Sequence, residues 1–165
     1  MRREPGSGFT TIGVPGKNVG GPAGLRNIDI TARRVEITGT TDEVRTTGAN
    51  VDVRDSWIHG LYDDGPPHND AAHISTGSSN VVFVNNRIDS TPIGPGAGCQ
   101  TSGIILCDDA TIVRNVLTGQ ASTRINAVKA GKATKLAGNV FAKTTRDAVV
   151  KGADQVSGTG NKTVQ

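Results

Sequence analysis

The sequence predicts an all-β chain wound as a single-stranded parallel β-helix of about six coils, and three observations carry that prediction. The first is composition. Of 165 residues, 22 are Gly, 19 Thr and 17 Val, against 5 Leu and 3 Glu, and aromatics make up only 3%. β-Branched residues favour strands, and the shortage of Leu and Glu leaves no helix-forming stretch, which excludes a helical bundle. The second is an internal repeat with a period of 22 to 30 residues, the signature of a stacked architecture. The third is a period-two alternation inside each repeat that breaks at one recurring place.

The repeat aligns NIDITARRV (27–35), NVDVRDSWI (50–58), NVVFVNNRI (80–88), DATIVRNVL (109–117), ATKLAGNVF (133–141) and QVSGTGNKT (155–163). With the first residue of each called n, position n+1 holds Ile28, Val51, Val81, Ala110, Thr134 and Val156. Position n+3 holds Ile30, Val53, Phe83, Ile112, Leu136 and Gly158, and n+8 holds Val35, Ile58, Ile88, Leu117, Phe141 and Thr163. Alternation from n+1 to n+3 is a strand with one buried face. The odd step from n+3 to n+8 requires a bend between them. Near the bend, n+6 holds Ser56, Asn86, Asn115, Asn139 and Asn161, with Arg33 as the exception. Asn tolerates unusual backbone angles, and stacked amides bond along a ladder. A further apolar stretch precedes most coils, at Val44, Ile74, Ile104–Leu106, Ala127–Val128 and Val149–Val150. Three short strands per coil, stacked about 4.8 Å apart, give a rod about 25–30 Å long. An antiparallel meander would need Asn-Gly or Asp-Gly turns between strands, and these are scarce.

The rod is read as residues 25–165, preceded by an extended Gly/Pro-rich arm, 1–24, that docks or caps. Its start, MRREPGSGF, has no apolar core of a secretory signal, and no apolar run is long enough to span a membrane. The net charge of +3 hides a segregation: residues 31–109 sum to −6 and residues 110–165 to +7. In a solenoid that becomes polarity along the axis. The basic third carries Phe141 as its one aromatic, too few stacking groups for a nucleic-acid surface.

Chemistry is expected where the two longest coils carry extra residues, 60–72 and 90–103, because insertions on one side of a solenoid build its binding face. The first gathers Tyr62, Asp63, Asp64, His68, Asn69, Asp70 and His73, just after Trp57 and His59. Trp57, at n+7, should point outward. Trp57 and Tyr62 with His68 and His73 are the candidate glycan-binding set, since sugars stack on aromatic faces and donate to polar groups; the alternative is that both aromatics pack under the insertion or on a neighbouring subunit. Asp63, Asp64 and Asp70 are a weak candidate for Ca²⁺, a hard cation that takes carboxylate oxygens. If the chain is an enzyme, those three with Arg87 as base are the candidate catalytic set. Asp109 shares the n column with Asn27, Asn50 and Asn80, so a turn role explains it. Cys99 and Cys107 lie within one coil; a disulfide is geometrically open, and free thiols suit a chain without an export signal.

VPGKNVGGPAGL (14–25), ANVDVRDSWIHG (49–60) and HNDAAHISTGSSNVVFVNNRID (68–89) resemble a right-handed parallel β-helix family of the pectate-lyase-like superfamily, with members in actinobacteria and their phages. That family commonly shows H-x-D-G-I-Q, then a glycine-rich turn and an N-x-I-D rung. Here Ala71 and Ala72 replace Gly-Ile, and His73 replaces Gln. The resemblance implies the fold and leaves activity open, since the architecture serves lyases, hydrolases and structural virion parts alike. With no export signal, no complete catalytic set, a Gly/Pro-rich arm and phage members in the family, the expectation is a non-enzymatic structural protein of a phage virion, such as a capsid decoration, spike or tail component. It would be trimeric, made in the host cytoplasm, docked through residues 1–24, and able to bind surface polysaccharide. The alternative is a polysaccharide lyase or hydrolase using the 60–73 loop.

Overall fold

A computed structural model describes residues 10–12, 25–27, 29–46, 48–62, 69–93, 100–144 and 149–165. Its strands form three parallel sheets, each taking every third strand. Sheet I stacks Thr10–Ile12, Val35–Thr38, Trp57–Tyr62, Arg87–Ile93, Val116–Thr118, Val140–Ala142 and Lys162–Val164. Sheet II stacks Leu25–Asn27, Val44–Thr46, Asn69–Ile74, Gln100–Leu106, Thr123–Asn126 and Val150–Lys151. Sheet III stacks Ile30–Arg33, Ala49–Arg54, Ser79–Val84, Ala110–Val113 and Lys135–Ala137, and Ser157 adds a single bridge to Lys135. The chain therefore runs II, III, I in every coil. This is a parallel β-solenoid. Thr10–Ile12, inside the stretch expected to be an arm, pairs with Val35–Ile37; the rest of residues 1–24 lies outside the described residues.

The repeat columns become axial stacks of like side chains. Ile37, Ile58, Ile88, Leu117 and Phe141 are in register along the inside of sheet I. Ala32, Val53, Phe83, Ile112 and Leu136 do the same in sheet III. Sheet II contributes Val44, Ala72, Ile104 and Ile125. These residues are all buried, and burying one Ile or Leu fully is worth about 1.5–3 kcal/mol. Ile125, rather than Ala127–Val128, supplies the fifth coil's large side chain to sheet II, and Val128 is exposed.

One register differs from the sequence reading. Ile30 pairs with Val51 and Ile37 with Ile58, so the first coil begins at Asp29, two residues later than the alignment placed it. Sliding an alternating strand by two keeps its buried face, so the pattern accepted either choice. With the shift, the n+6 exception is Val35 instead of Arg33, and n+5 becomes a column of left-handed residues. Arg34, Asp55, Asn85, Arg114, Gly138 and Gly160 all have φ between 53° and 75°. The bend lies there. The next residue, n+6, turns inward and carries the ladder.

That ladder is continuous. Each Oδ1 accepts the backbone N–H of the preceding coil's n+6 residue: Ser56 onto Asn86 (3.0 Å), Asn86 onto Asn115 (2.8 Å), Asn115 onto Asn139 (2.9 Å) and Asn139 onto Asn161 (3.0 Å). Each amide nitrogen donates to a sheet III carbonyl of the preceding coil, at Val53, Phe83, Ile112 and Leu136. Buried amides must be satisfied, and these are.

Candidate functional site

Two clusters of chemistry-bearing side chains stand out. The first occupies the corner from sheet I to sheet II, where Gly39–Glu43 turns the chain. Gly39 takes φ +83°, and its N–H donates to the Gly60 carbonyl. Glu43 folds back beneath this turn and is fully buried, with Oε1 accepting the Thr40 N–H at 3.2 Å. The Thr40 hydroxyl lies 2.8 Å from Glu43 Oε2 and 2.9 Å from the Asp42 carbonyl. A hydroxyl has one proton, so if the carbonyl receives it, Glu43 must carry its own. Burial pushes the Glu43 carboxyl up to about 8, with the neighbouring Asp42 adding to the effect against the Thr40 hydrogen bonds.

Asp42 and Asp70 continue the corner as a second ladder. Asp42 Oδ1 accepts the Asp70 N–H (3.2 Å), and Asp70 Oδ1 accepts the Ser102 N–H (3.0 Å). Ser102 Oγ then lies 3.3 Å from Thr123 Oγ1. Asp42 Oδ2 pairs with Arg45 at 3.2 Å, and Asp70 Oδ2 stands 3.8 Å from His73 Nδ1. Burial first, then the Asp42 charge, pushes Asp70 up to about 7 against the Ser102 N–H and Arg45. Burial lowers the His73 imidazole, and Arg45 adds to that while Asp42 opposes it. Chemically, the corner offers a carboxyl that exchanges a proton near neutrality. Asp63, Asp64 and His68 lie outside the described residues. Among the described residues, no group of three His, Cys, Asp or Glu side chains is placed to hold a metal ion.

Two coils further on, the corner changes sign. Arg124 is buried and donates to the carbonyls of Ala142, Thr118, Gly119 and Lys143 at 2.8 to 3.2 Å. Desolvation lowers its pKa, and Asp89 opposes. The guanidinium clips neighbouring coils together.

The second cluster lies on the outer face of sheet I. Trp57 points outward as expected and stacks on His59, with ring centroids 3.7 Å apart and planes 20° apart. W-x-H on a strand puts both rings on one face. His59 Nε2 lies 2.8 Å from Glu36 Oε1 on the neighbouring strand. Arg87, in register with Trp57, holds its guanidinium carbon 5.9 Å from the indole centroid, within cation–π reach.

The remaining candidates are distributed. Tyr62 ends the strand that Trp57 begins, about 16 Å away at strand spacing, so the two do not form one platform. Asp70 and His73 belong to sheet II and Arg87 to sheet I. Asp109 accepts the Ala133 N–H at 2.9 Å, and Asp108 accepts the Gly77 N–H at 2.7 Å, which are turn roles. Cys107 is a half-buried free thiol pushed up by burial, with Lys129 opposing; Cys99 lies outside the described residues. Sequence reasoning did not single out Asp42, Glu43, Arg45 or Glu36. The usable signal for Asp42 and Arg45 was an acid and a base three apart at the mouth of a strand.

No protein-family model, no curated protein and no solved structure matches this chain. Its fold assignment rests on its own strand pairing.

Proposed function

We propose that this chain is a non-enzymatic structural protein, a stiff β-solenoid rod belonging to a larger assembly of the phage-virion type. The observation that carries this reading is where its polar groups are bound. Glu43 accepts a backbone N–H within its own turn, while Asp42 and Asp70 each accept one from the next coil and Arg124 donates to carbonyls of two neighbouring coils. Groups bonded this way hold coils in register. The resemblance to β-helical proteins of actinobacterial phages supports the setting, and residues 1–24, apart from the rung Thr10–Ile12, are the proposed docking segment. The test is incubation of the full chain with acidic and neutral polysaccharides, with and without Ca²⁺, read by reducing ends and by absorbance of unsaturated products. The expected result is no depolymerisation. Turnover that disappears in Asp70→Asn would overturn the proposal.

One observation favours a second reading, a carbohydrate-active enzyme. Asp70 exchanges its proton near neutral pH, the property a general acid needs, and it lies within the 60–73 loop. The same assay separates the readings.

A further inference from the structure

The outer face of sheet I carries an ordered row that is complementary to its own reverse. From Glu36, whose strand follows the terminal one and pairs with it through Thr11, to the last strand of the sheet, the in-register outward residues are Glu36, Trp57, Arg87, Val116, Val140 and Lys162. The row two residues on is Thr38, His59, Asp89, Thr118, Ala142 and Val164. Large apolar side chains are exposed at four described positions, and three of them are on this sheet: Ile93 (42%), Val116 (40%) and Val164 (46%). The fourth, Val128, lies just after a strand of sheet II. Val116 and Val164 fall in these two rows, while Ile93 stands at the far end of its strand in register with Tyr62; apolar exposure concentrated on one sheet marks a contact surface.

We infer that the outer face of sheet I packs against a second copy of this chain, with the two rods antiparallel about a two-fold axis running along the strands. Such an axis reverses the order of coils while keeping each row on itself. Glu36 then faces the partner's Lys162, Trp57 faces the partner's Val140, and Arg87 faces the partner's Val116. Sliding by one rung one way sets Arg87 against the partner's Arg87, and sliding the other way leaves Glu36 without the partner's Lys162, so charge favours this register. The rod's polarity works the same way. The negative half of one copy lies beside the positive half of the other, whereas a parallel trimer sets like charge beside like. The charge order is thus the reason to prefer this arrangement over the trimer expected from the sequence. It is independent of the choice between scaffold and enzyme. The strands are three to seven residues long, so the patch is small and the expected affinity is weak, in the micromolar range.

Sedimentation velocity of the full chain from about 1 to about 200 µM tests this. The wild type should show a monomer–dimer equilibrium that weakens with added salt. Val116→Lys, at an exposed position, should leave the melting temperature unchanged and weaken dimerisation at least about tenfold. Glu36→Lys should also weaken it, and Glu36→Lys with Lys162→Glu should restore it, because only an antiparallel pair brings those two positions together. A monomer across the whole range overturns the inference. So does a trimer, or a double variant that stays as weak as Glu36→Lys. Binding of a neutral or acidic oligosaccharide that quenches Trp57 fluorescence in a monomeric wild type would overturn it in favour of a sugar-binding face.

Discussion

Glu43 makes stability depend on pH in the direction opposite to most carboxylates. Its side chain is fully buried and its carboxyl titrates at about 8 instead of 4.5. The folded chain therefore holds this proton between those values, while the unfolded chain releases it. Stability is undiminished below about pH 4.5, falls as pH rises, and levels off above about 8. At 1.36 kcal/mol per unit, the interval corresponds to roughly 4–5 kcal/mol at most, a large share of an ordinary domain's stability. Asp70 acts in the same sense, over a window from 3.8 to about 7. Urea unfolding at pH 5.5, 7 and 8.5 should show the wild type losing stability with pH. Glu43→Gln keeps the shape and places an amide where the protonated carboxyl stood, and Thr40 Oγ1 can accept from it. The variant should be less stable than wild type at acid pH or equal to it, and clearly more stable at pH 8.5. A wild type that gains stability from pH 5.5 to 8.5, or a Glu43→Gln profile as steep as the wild type's, would refute the reasoning.

Other substitutions test the solenoid's connections. Asn115→Ala strands the Asn86 N–H and the Phe83 carbonyl; at about 1–3 kcal/mol per orphaned group it should cost roughly 3–5 kcal/mol in chemical denaturation. Asn161→Ala, at the exposed end of the ladder, should cost less than half of that. Arg124→Met takes the guanidinium away from the Ala142, Gly119 and Lys143 carbonyls, while the Thr118 carbonyl keeps the Ser90 hydroxyl at 2.9 Å, and should lower stability by roughly 2–4 kcal/mol; Arg124→Lys should recover only part, since one ammonium cannot span all of them. Gly119→Ala places a Cβ about 2.5 Å from the Ser90 and Thr91 nitrogens at φ +98°. It should lower the melting temperature by several degrees, with a loss on the order of 1–3 kcal/mol.

The sequence disclosed the architecture because stacking repeats one chemical requirement in every coil. Val53, Phe83, Ile112 and Leu136 fill equivalent places, and four Asn residues fill another, so chance agreement is small. The first coil's register was ambiguous because Asn27-Ile28-Asp29-Ile30 fits the same alternation from either of two starts two residues apart, and only pairing of Ile30 with Val51 decides between them. The left-handed column escaped notice because its members are as different as Arg34, Asp55 and Gly138. What they share is a backbone angle, which residue type announces only for Gly and Asn. The acidic corner was hidden for another reason. Asp42 and Glu43 sit in a short, polar, ordinary-looking turn, and nothing in Thr-Thr-Asp-Glu says that one carboxylate is fully buried. That is decided by the coils above and below, which carry the insertion-bearing residues toward which the sequence argument turned.

The asparagine ladder also determines where this chain can be edited. Between sheets III and I the second to fifth coils each use two linking residues, Asp55–Ser56, Asn85–Asn86, Arg114–Asn115 and Gly138–Asn139, and each second residue is bonded to its neighbours above and below. One inserted residue there would lift an amide out of line and rotate every following side chain to the wrong face. The corner between sheets I and II carries no such constraint of length: residues 39–43 cross it in one coil, and the gap between Ile93 and Gln100 crosses it in another. Foreign peptides should be accepted at that corner away from residues 39–43, whose turn holds the buried Glu43 and the Asp42 end of the acidic ladder, and rejected at the asparagine ladder, which makes the rod a display scaffold with one permissive edge and one that keeps the measure.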